Sequence, residues 1–435
     1  MKMKRFVSLL TVLCLMVSGM LSLPAHAEAT PVDYASQVVL NMNSETVKQE
    51  VTVRTFIDGD TTHFNVPESV METGVLKARY LAVNTPESTG KIEEYGKKAS
   101  AFTKEKLMNA ESIIIESDTD TWNADSTGGR YLVWVWYRPA GESSYRNLNI
   151  EILQNGLAIA NSSANNRYGS ICMSAISQAR EAKLNVHSGQ KDPDFYYGDA
   201  VELTIRELRW NPEQYNGVKV AFTGVITMNY NNGVYVESYD AETGLYYGMY
   251  VYYGFSMSGQ GLDILRVGNE ARIVGTMQFY EAGGTWQVSG LTYRAMKPKD
   301  PGNIQKLSDG HSPAYVPTDA DTFVNGSVVL EDGQTAHEAR YAMLATATSI
   351  EMKNLNVTGA YTTTDEASSS YGAVTLTCEA DDAAVQIRTI PLYENGKLIT
   401  EDAWLGKTID VKGIVDLYDG VYQIRVFTKE SITIH

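Results

Sequence analysis

Two stretches 138 residues apart repeat one pattern, and that repeat restricts what the second half of the chain can fold into. Val267-Gly268-Asn269-Glu270-Ala271-Arg272-Ile273-Val274-Gly275 leads into Trp286-Gln287-Val288, and Leu405-Gly406-Lys407-Thr408-Ile409-Asp410-Val411-Lys412-Gly413 leads into Tyr422-Gln423-Ile424. The glycines are seven apart in both copies. Upstream, Thr223-Gly224-Val225 and Thr358-Gly359-Ala360 hold matching places, 44 and 47 residues before Gly268 and Gly406. Strands interrupted by glycine at a fixed place suit a small closed sheet, where a strand must bend and a side chain would obstruct the bend. Each unit is therefore expected to form about five strands in roughly 95 residues, a Greek-key barrel.

The chain begins differently. Met1-Lys2-Met3-Lys4-Arg5, an apolar run over 6–23 and Ala25-His26-Ala27 form an export signal, with cleavage expected after Ala27. Leu13 is not the small residue that lipid attachment at Cys14 would favour. The mature protein is expected to be secreted and soluble, since no later stretch approaches the roughly 18–20 apolar residues of a membrane span. Only Cys172 and Cys378 survive cleavage; a disulfide between them is open but not expected, and two scattered cysteines make no metal site.

Charge separates the halves. The whole carries −16, from 36 Lys and Arg against 52 Asp and Glu, and residues 193–435 alone hold 17 basic and 31 acidic side chains. Residues 50–191 are close to neutral. Because phosphate contacts come from Lys and Arg, a nucleic-acid partner fits the front better than the back.

Along that front, residues 51–57 alternate towards Asp58-Gly59, a hairpin signal. Residues 76–83 read as a strand ending at Thr85-Pro86, because proline disfavours helix in the residue before it. Tyr95, Ala99 and Phe102, at i, i+4 and i+7, predict a helix over 93–110. Residues 112–117 and 131–137 are strand-like, while 149–155 and 170–184 are helical, the former stopped by Gly156. An α+β domain over 50–192 follows, after a leader at 28–49. The β-rich units occupy 198–297 and 339–435, and 298–338, rich in Pro, Asp and Gly, reads as a linker with a strand at 327–330.

Two runs carry chemistry: Ile57-Asp58-Gly59-Asp60-Thr61 and Arg79-Tyr80-Leu81-Ala82-Val83-Asn84-Thr85-Pro86-Glu87. They supply carboxylate, amide and main-chain oxygens in rigid, irregular backbone, the ligand types of a hard cation such as calcium. The mature histidines His63, His187, His311, His337 and His435 are isolated, which disfavours softer metals. Glu87 could position or deprotonate a water, and Arg79 and Arg130 could hold phosphate bidentately, as lysine cannot. Taken singly, each residue has a plainer reading. Asp58-Gly59 is an ordinary turn, Arg79 a surface strand residue, Gly129-Arg130 a loop and Glu87 a helix cap.

Taken in order, they carry a resemblance. With Glu94-Tyr95-Gly96-Lys97-Lys98-Ala99-Ser100-Ala101-Phe102-Thr103, Gly129-Arg130, Leu153-Gln154-Asn155-Gly156-Leu157-Ala158 and Ala182-Lys183-Leu184-Asn185, residues 51–190 resemble the staphylococcal nuclease (thermonuclease) family. The resemblance covers about a third of the chain. It implies an OB barrel with three helices and calcium-dependent hydrolysis of DNA and RNA. Asp60, Asn84 and the Thr85 carbonyl would ligate calcium (Ca2+), Glu87 would be the general base, Arg79 and Arg130 would stabilise phosphate charge, and Asp58 would lie behind the ligands. Three departures stand out. Asn84 replaces the usual second aspartate, Thr127-Gly128 replaces a lysine-tyrosine pair, and residues near Ser162 and Ala164 cannot stack on bases as the family's tyrosines do.

The fold class expected is thus α+β, a nuclease-like OB barrel with three helices followed by two all-β OB-like barrels. The tyrosines of the first β-rich unit, among them Tyr235, Tyr239, Tyr246, Tyr247, Tyr250, Tyr252 and Tyr253, suit packing on β faces, bases or sugars alike. Single-stranded nucleic acid, cell-envelope association and a structural role stay open for the acidic half. The leading expectation is a secreted endonuclease; its alternative is a binding or adhesion protein whose nuclease-like barrel has lost catalysis.

Overall fold

The computed structural model describes residues 30–435 except 256, 282, 333, 334, 367 and 369, so the export signal and its cleavage site lie outside the described residues. The fold is mixed α+β, built on three closed five-stranded barrels.

In the first barrel, β1 (Lys48–Asp58), β2 (Thr61–Asn65), β3 (Val75–Tyr80), β4 (Ala110–Glu116) and β5 (Tyr131–Pro139) pair in the order β1-β2-β3-β5-β4 and back to β1. All pairings are antiparallel except β3 with β5, where Ala78 faces Tyr131 and Tyr80 faces Val133. Closure depends on β1 serving two neighbours. Residues 48–51 pair with β4 and 52–58 with β2, and register shifts at 53–55 and 56–58 bend the strand between them. Phe64, Leu76, Ala78, Ile115, Val133 and Val135 fill the interior. Trp134 and Trp136 point the other way yet are equally buried, because Tyr168 meets both edge-on and their ring N–H groups donate to Asp118 and Glu116, each at 2.8 Å.

Helices α1 (Gly96–Met108), α2 (Leu148–Gln154) and α3 (Gly169–Glu181) complete this unit. The first begins three residues later than the apolar spacing suggests. Tyr95 takes a left-handed conformation, φ 65°, and a side chain on Gly96 would run into the Glu87 carbonyl, so the chain turns there before it coils.

The second barrel comprises β6 (Lys219–Tyr230), β7 (Gly233–Asp240), β8 (Leu245–Tyr252), β9 (Glu270–Tyr280) and β10 (Thr285–Ser289). The third comprises β11 (Ser349–Thr362), β12 (Val374–Ala380), β13 (Ala383–Thr389), β14 (Thr408–Tyr418) and β15 (Val421–Val426). Both close as the first does, with the third and fifth strands parallel. The repeat seen in sequence falls on one structural place. Gly275 and Gly413 lie within the fourth strands, where a Cβ would sit 2.6 Å from Ser289 O and 2.5 Å from Arg425 O on the fifth. Gln287 and Gln423 are buried on the fifth strands, opposite Gln278 and Asp416, three residues beyond those glycines. Residues 298–338 are not featureless. They hold a strand at Gln305–Ser308 that joins the second barrel's sheet, a helix at Ala320–Asn325 and a hairpin of Ser327–Asp332 with Thr335–Arg340.

The second and third barrels meet through polar groups, bare backbone and a small apolar cluster of Tyr235, Ala347, Ile414 and Phe427. A Cβ on Gly248 would collide with the backbone of Ala347, and buried Arg209 donates to Gly248 O at 2.5 Å and Thr346 O at 3.0 Å. The buried Glu237 carboxylate accepts from Ala314 N and Ser349 N, both at 2.7 Å, and from Ser349 Oγ at 2.9 Å. Cys172 and Cys378 are free and buried, their thiols pushed up to about 12 by desolvation. Among the described residues no helix is long and apolar enough to cross a membrane.

Burial raises the Glu237 carboxyl above its ordinary 4.5, against the pull of its three donors. A folded-state value above the unfolded one means that the proton-linked stabilisation is complete below about 4.5 and is lost as pH rises through the raised value. Relative to Glu237→Gln, which does not titrate, the wild type is expected to lose stability over that rise. Urea midpoints for both proteins between pH 4 and 7 measure it; a constant difference would mean that the carboxyl is not perturbed.

Candidate active site around Asp60

The β1–β2 turn, the end of β3 and the segment after it converge on Asp60. The Asp60 side chain is wholly buried. Its Oδ1 pairs with Arg79 Nη1 and accepts from Thr61 Oγ1 at 3.1 Å, and its Oδ2 accepts from Thr85 N at 2.8 Å. Tyr80 N donates to Asp60 O at 2.8 Å, and Asp60 N donates to Asp58 Oδ1 at 3.1 Å. These bonds do not fully offset the lost hydration: burial, then the neighbouring Asp58 charge, push the Asp60 carboxyl up to about 7 against Arg79 and the Thr85 amide.

Arg79 also reaches Asn84, donating from Nη2 to Oδ1 at 2.7 Å. The side-chain oxygens of Asp60 and Asn84 therefore face one cationic head. Thr85 lies in the same cluster, its Oγ1 buried without a partner. Among the described residues no group of three or more His, Cys, Asp or Glu is arranged to hold a metal. A cation here would need amide and carbonyl oxygens as well as carboxylate, which the Asp60, Asn84 and Thr85 set supplies and a hard cation accepts.

Glu87 lies at the solvent edge, with its own amide donating to Glu93 Oε2 at 3.1 Å. Partial desolvation and the Asp58 and Glu93 charges raise its carboxyl, while Arg79 and Arg130 lower it, so these charges share one field. Arg130 is held by a local device. Its Nε donates to Asp125 Oδ2 at 2.7 Å, while Asp125 Oδ1 accepts from Thr127 N at 3.0 Å and Thr127 Oγ1 at 2.5 Å. Gly128, at φ 72°, closes this turn. The Asp-x-Thr-Gly spacing is an Asx-turn signal that could have been read from the sequence. Beside Asn84, Thr85 and Pro86 opens a cleft of about 770 Å3, lined also by Lys91, Ile159 and Lys191.

Residues 77–188 match the family model of the staphylococcal nuclease homologues, over 112 of the 435 residues. Fold and match together define a domain of the nuclease-homologue type. More particularly it is a staphylococcal-nuclease-type domain, carried ahead of two further barrels. The matched stretch includes Arg79, Asn84, Thr85, Glu87 and Arg130; Asp60 precedes it, in the hairpin that closes the same barrel.

Gly59 makes the turn fit. A Cβ there would stand 2.9 Å from both Ala99 Cβ on α1 and Thr85 Cγ2, and Thr103 Oγ1 already donates to Gly59 O at 2.6 Å. Gly59→Ala is expected to destabilise the fold by about 1–3 kcal/mol through overpacking. Urea unfolding measures this, and an unchanged midpoint would show that the turn can yield.

Proposed function

We propose that this domain is a calcium-dependent endonuclease, hydrolysing phosphodiesters of DNA and RNA, and that the protein is exported by its leader. The observation that carries the proposal is the geometry around Arg79, which bonds both the buried Asp60 carboxylate and the Asn84 side-chain oxygen, with Arg79 and Arg130 both close enough to Glu87 to act on its charge.

Asp60, Asn84 and the Thr85 carbonyl would hold calcium. When bound, the ion supplies positive charge that neutralises a phosphoryl oxygen and shapes the site for in-line attack. The protein's own groups do the rest. Glu87, exposed to water and raised in basicity, orients a water and takes its proton. The Arg79 and Arg130 guanidinium groups present planar pairs of donors to the phosphoryl oxygens as charge accumulates. Asp125 keeps Arg130 in one orientation, so little order has to be gained when substrate arrives. The cleft beside Thr85 and Pro86 gives a nucleic-acid strand room to lie against the site. Asn84 in place of an aspartate lowers the negative charge offered to the ion, which weakens its binding.

Single-stranded DNA, double-stranded DNA and RNA are expected to be cut in calcium and spared in chelator. Glu87→Gln and Arg130→Ala should each lower kcat on the order of 10²- to 10³-fold. No cleavage with any divalent ion would leave the binding-protein alternative standing. Asn84→Asp should move the calcium titration of activity to lower concentration; an unmoved midpoint would remove Asn84 from the ligand set.

A further inference from the structure

The loop of residues 86–94 carries Glu87 but has little of its own to hold it. None of its residues is buried. Its neck is closed by Glu93 N donating to Glu87 O at 2.9 Å and by the Glu87 amide's bond to Glu93. Its tip is held from outside. The Gly90 carbonyl accepts from Gln278 Nε2 at 2.6 Å and Ser289 Oγ at 2.7 Å, so both of its lone pairs are taken by the second barrel. The two donors are themselves buried, on β9 and at the end of β10. The approach is close enough that a Cβ on Gly290 would stand 3.3 Å from the same carbonyl.

Further bonds fix the barrel against the helix that follows the loop. Lys104 Nζ meets Glu281 Oε1 at 2.8 Å, and Lys97 Nζ donates to Asn216 O at 3.0 Å. At the loop's far end, Tyr95 N donates to the buried Asp192 Oδ2 at 2.6 Å and Tyr95 Oη to Gln190 O at 3.0 Å. The segment that carries the reactive carboxylate is thus pinned at tip and end by residues beyond the matched stretch.

We propose that the second barrel is a positioning element for the Glu87 loop, with Gln278 and Ser289 as positioning residues acting through the Gly90 carbonyl. In its catalytic consequence this rests on the nuclease reading above. An unburied loop opens at small free-energy cost, and two bonds from buried, immobile donors select one of its conformations. A general base has to stand within hydrogen-bond reach of its water, and displacement by about 1 Å can cost on the order of 10²-fold in rate. The acidic barrel needs no contact with phosphate to act in this way.

The test uses the full chain with Gln278→Leu combined with Ser289→Ala. Two quantities are read: amide hydrogen exchange across 86–94, and steady-state cleavage of a single-stranded DNA oligonucleotide in calcium. Exchange should accelerate about 10-fold or more, and kcat should fall roughly 10- to 100-fold while KM changes by less than about 3-fold. Ser289→Thr, which keeps the hydroxyl, should stay near wild type in both. Tyr239→Ser, at an exposed position of the same barrel, should change neither. Unchanged exchange overturns the proposal, and so does accelerated exchange with kcat intact. If the double variant does not fold, Ser289→Ala alone decides by the same readouts. If the wild type fails to cleave at all, the nuclease reading falls, and exchange still decides whether the barrel holds the loop.

Discussion

A carboxylate with no exposed surface organises the front of this molecule. Burying Asp60 is unfavourable unless its oxygens are occupied, and each partner comes from a different part of the barrel: Arg79 from β3, Thr85 from the segment after it and Thr61 from the start of β2. Satisfying one side chain therefore fixes where three segments meet. The accounting stays incomplete, since Asp58 stands beside Asp60 and burial outweighs the Arg79 charge. Arg79 fills part of the deficit, and by bonding Asn84 as well it ties β3 to the segment after it a second time.

The tandem barrels use their unusual residues for a different purpose. Several of the tyrosines that could have formed a stacking surface are internal: Tyr247 lies in the second barrel's core, and Tyr235 packs against Tyr250 and against Phe427 of the third barrel. Arg425 lies 4.6 Å above the Tyr230 ring and pairs with Asp416, so a cation that might have served a ligand serves the junction. Glu237 and Arg209 join the same pair of barrels, and Gly248 lets their backbones touch. Tyrosine content here is largely explained by packing, in keeping with the β preference of the residue. The acidic excess of this half is no obstacle to a role that avoids phosphate.

Legibility followed the range of the interaction. The glycine repeat was readable because its two paired positions answer local demands of each barrel: Gly268 and Gly406 take positive φ in the turn before the fourth strand, and Gly275 and Gly413 lie where the fifth strand crosses the fourth. The strands and helices of residues 48–181 were readable from period and punctuation, except at three ends: the strand expected to reach 83 stops at Tyr80, the helix expected to reach 184 stops at Glu181, and α1 starts late because the left-handed Tyr95 and the packing of Gly96 on Glu87 override apolar spacing. The site residues were nameable because they stand in short runs. That Asp60 and Asn84 would share Arg79 was not, because it depends on how a hairpin turn and a strand end pack. The 298–338 stretch looked like a linker with one strand at 327–330; that strand is present, and what local pattern did not announce is its partner at Thr335–Arg340 and the pairing of Gln305–Ser308 with the second barrel.

The two loops that bring charge to the site show the same division. Arg130 is oriented from within, by an aspartate five residues before it and a threonine and glycine that complete the turn. Such a loop keeps its shape wherever its barrel folds. The Glu87 loop closes only its neck by itself, and its tip relies on hydroxyl and amide donors about 190 to 200 residues away. Order supplied locally is constant, whereas order supplied across an interface lasts only while that interface is formed. The carboxylate proposed to activate water is therefore the one group of the site whose placement can respond to how the second barrel sits, while the guanidinium opposite it cannot. Any motion between these units would be felt first as a change in Glu87, with the Asp60 cluster and Arg130 left where they are.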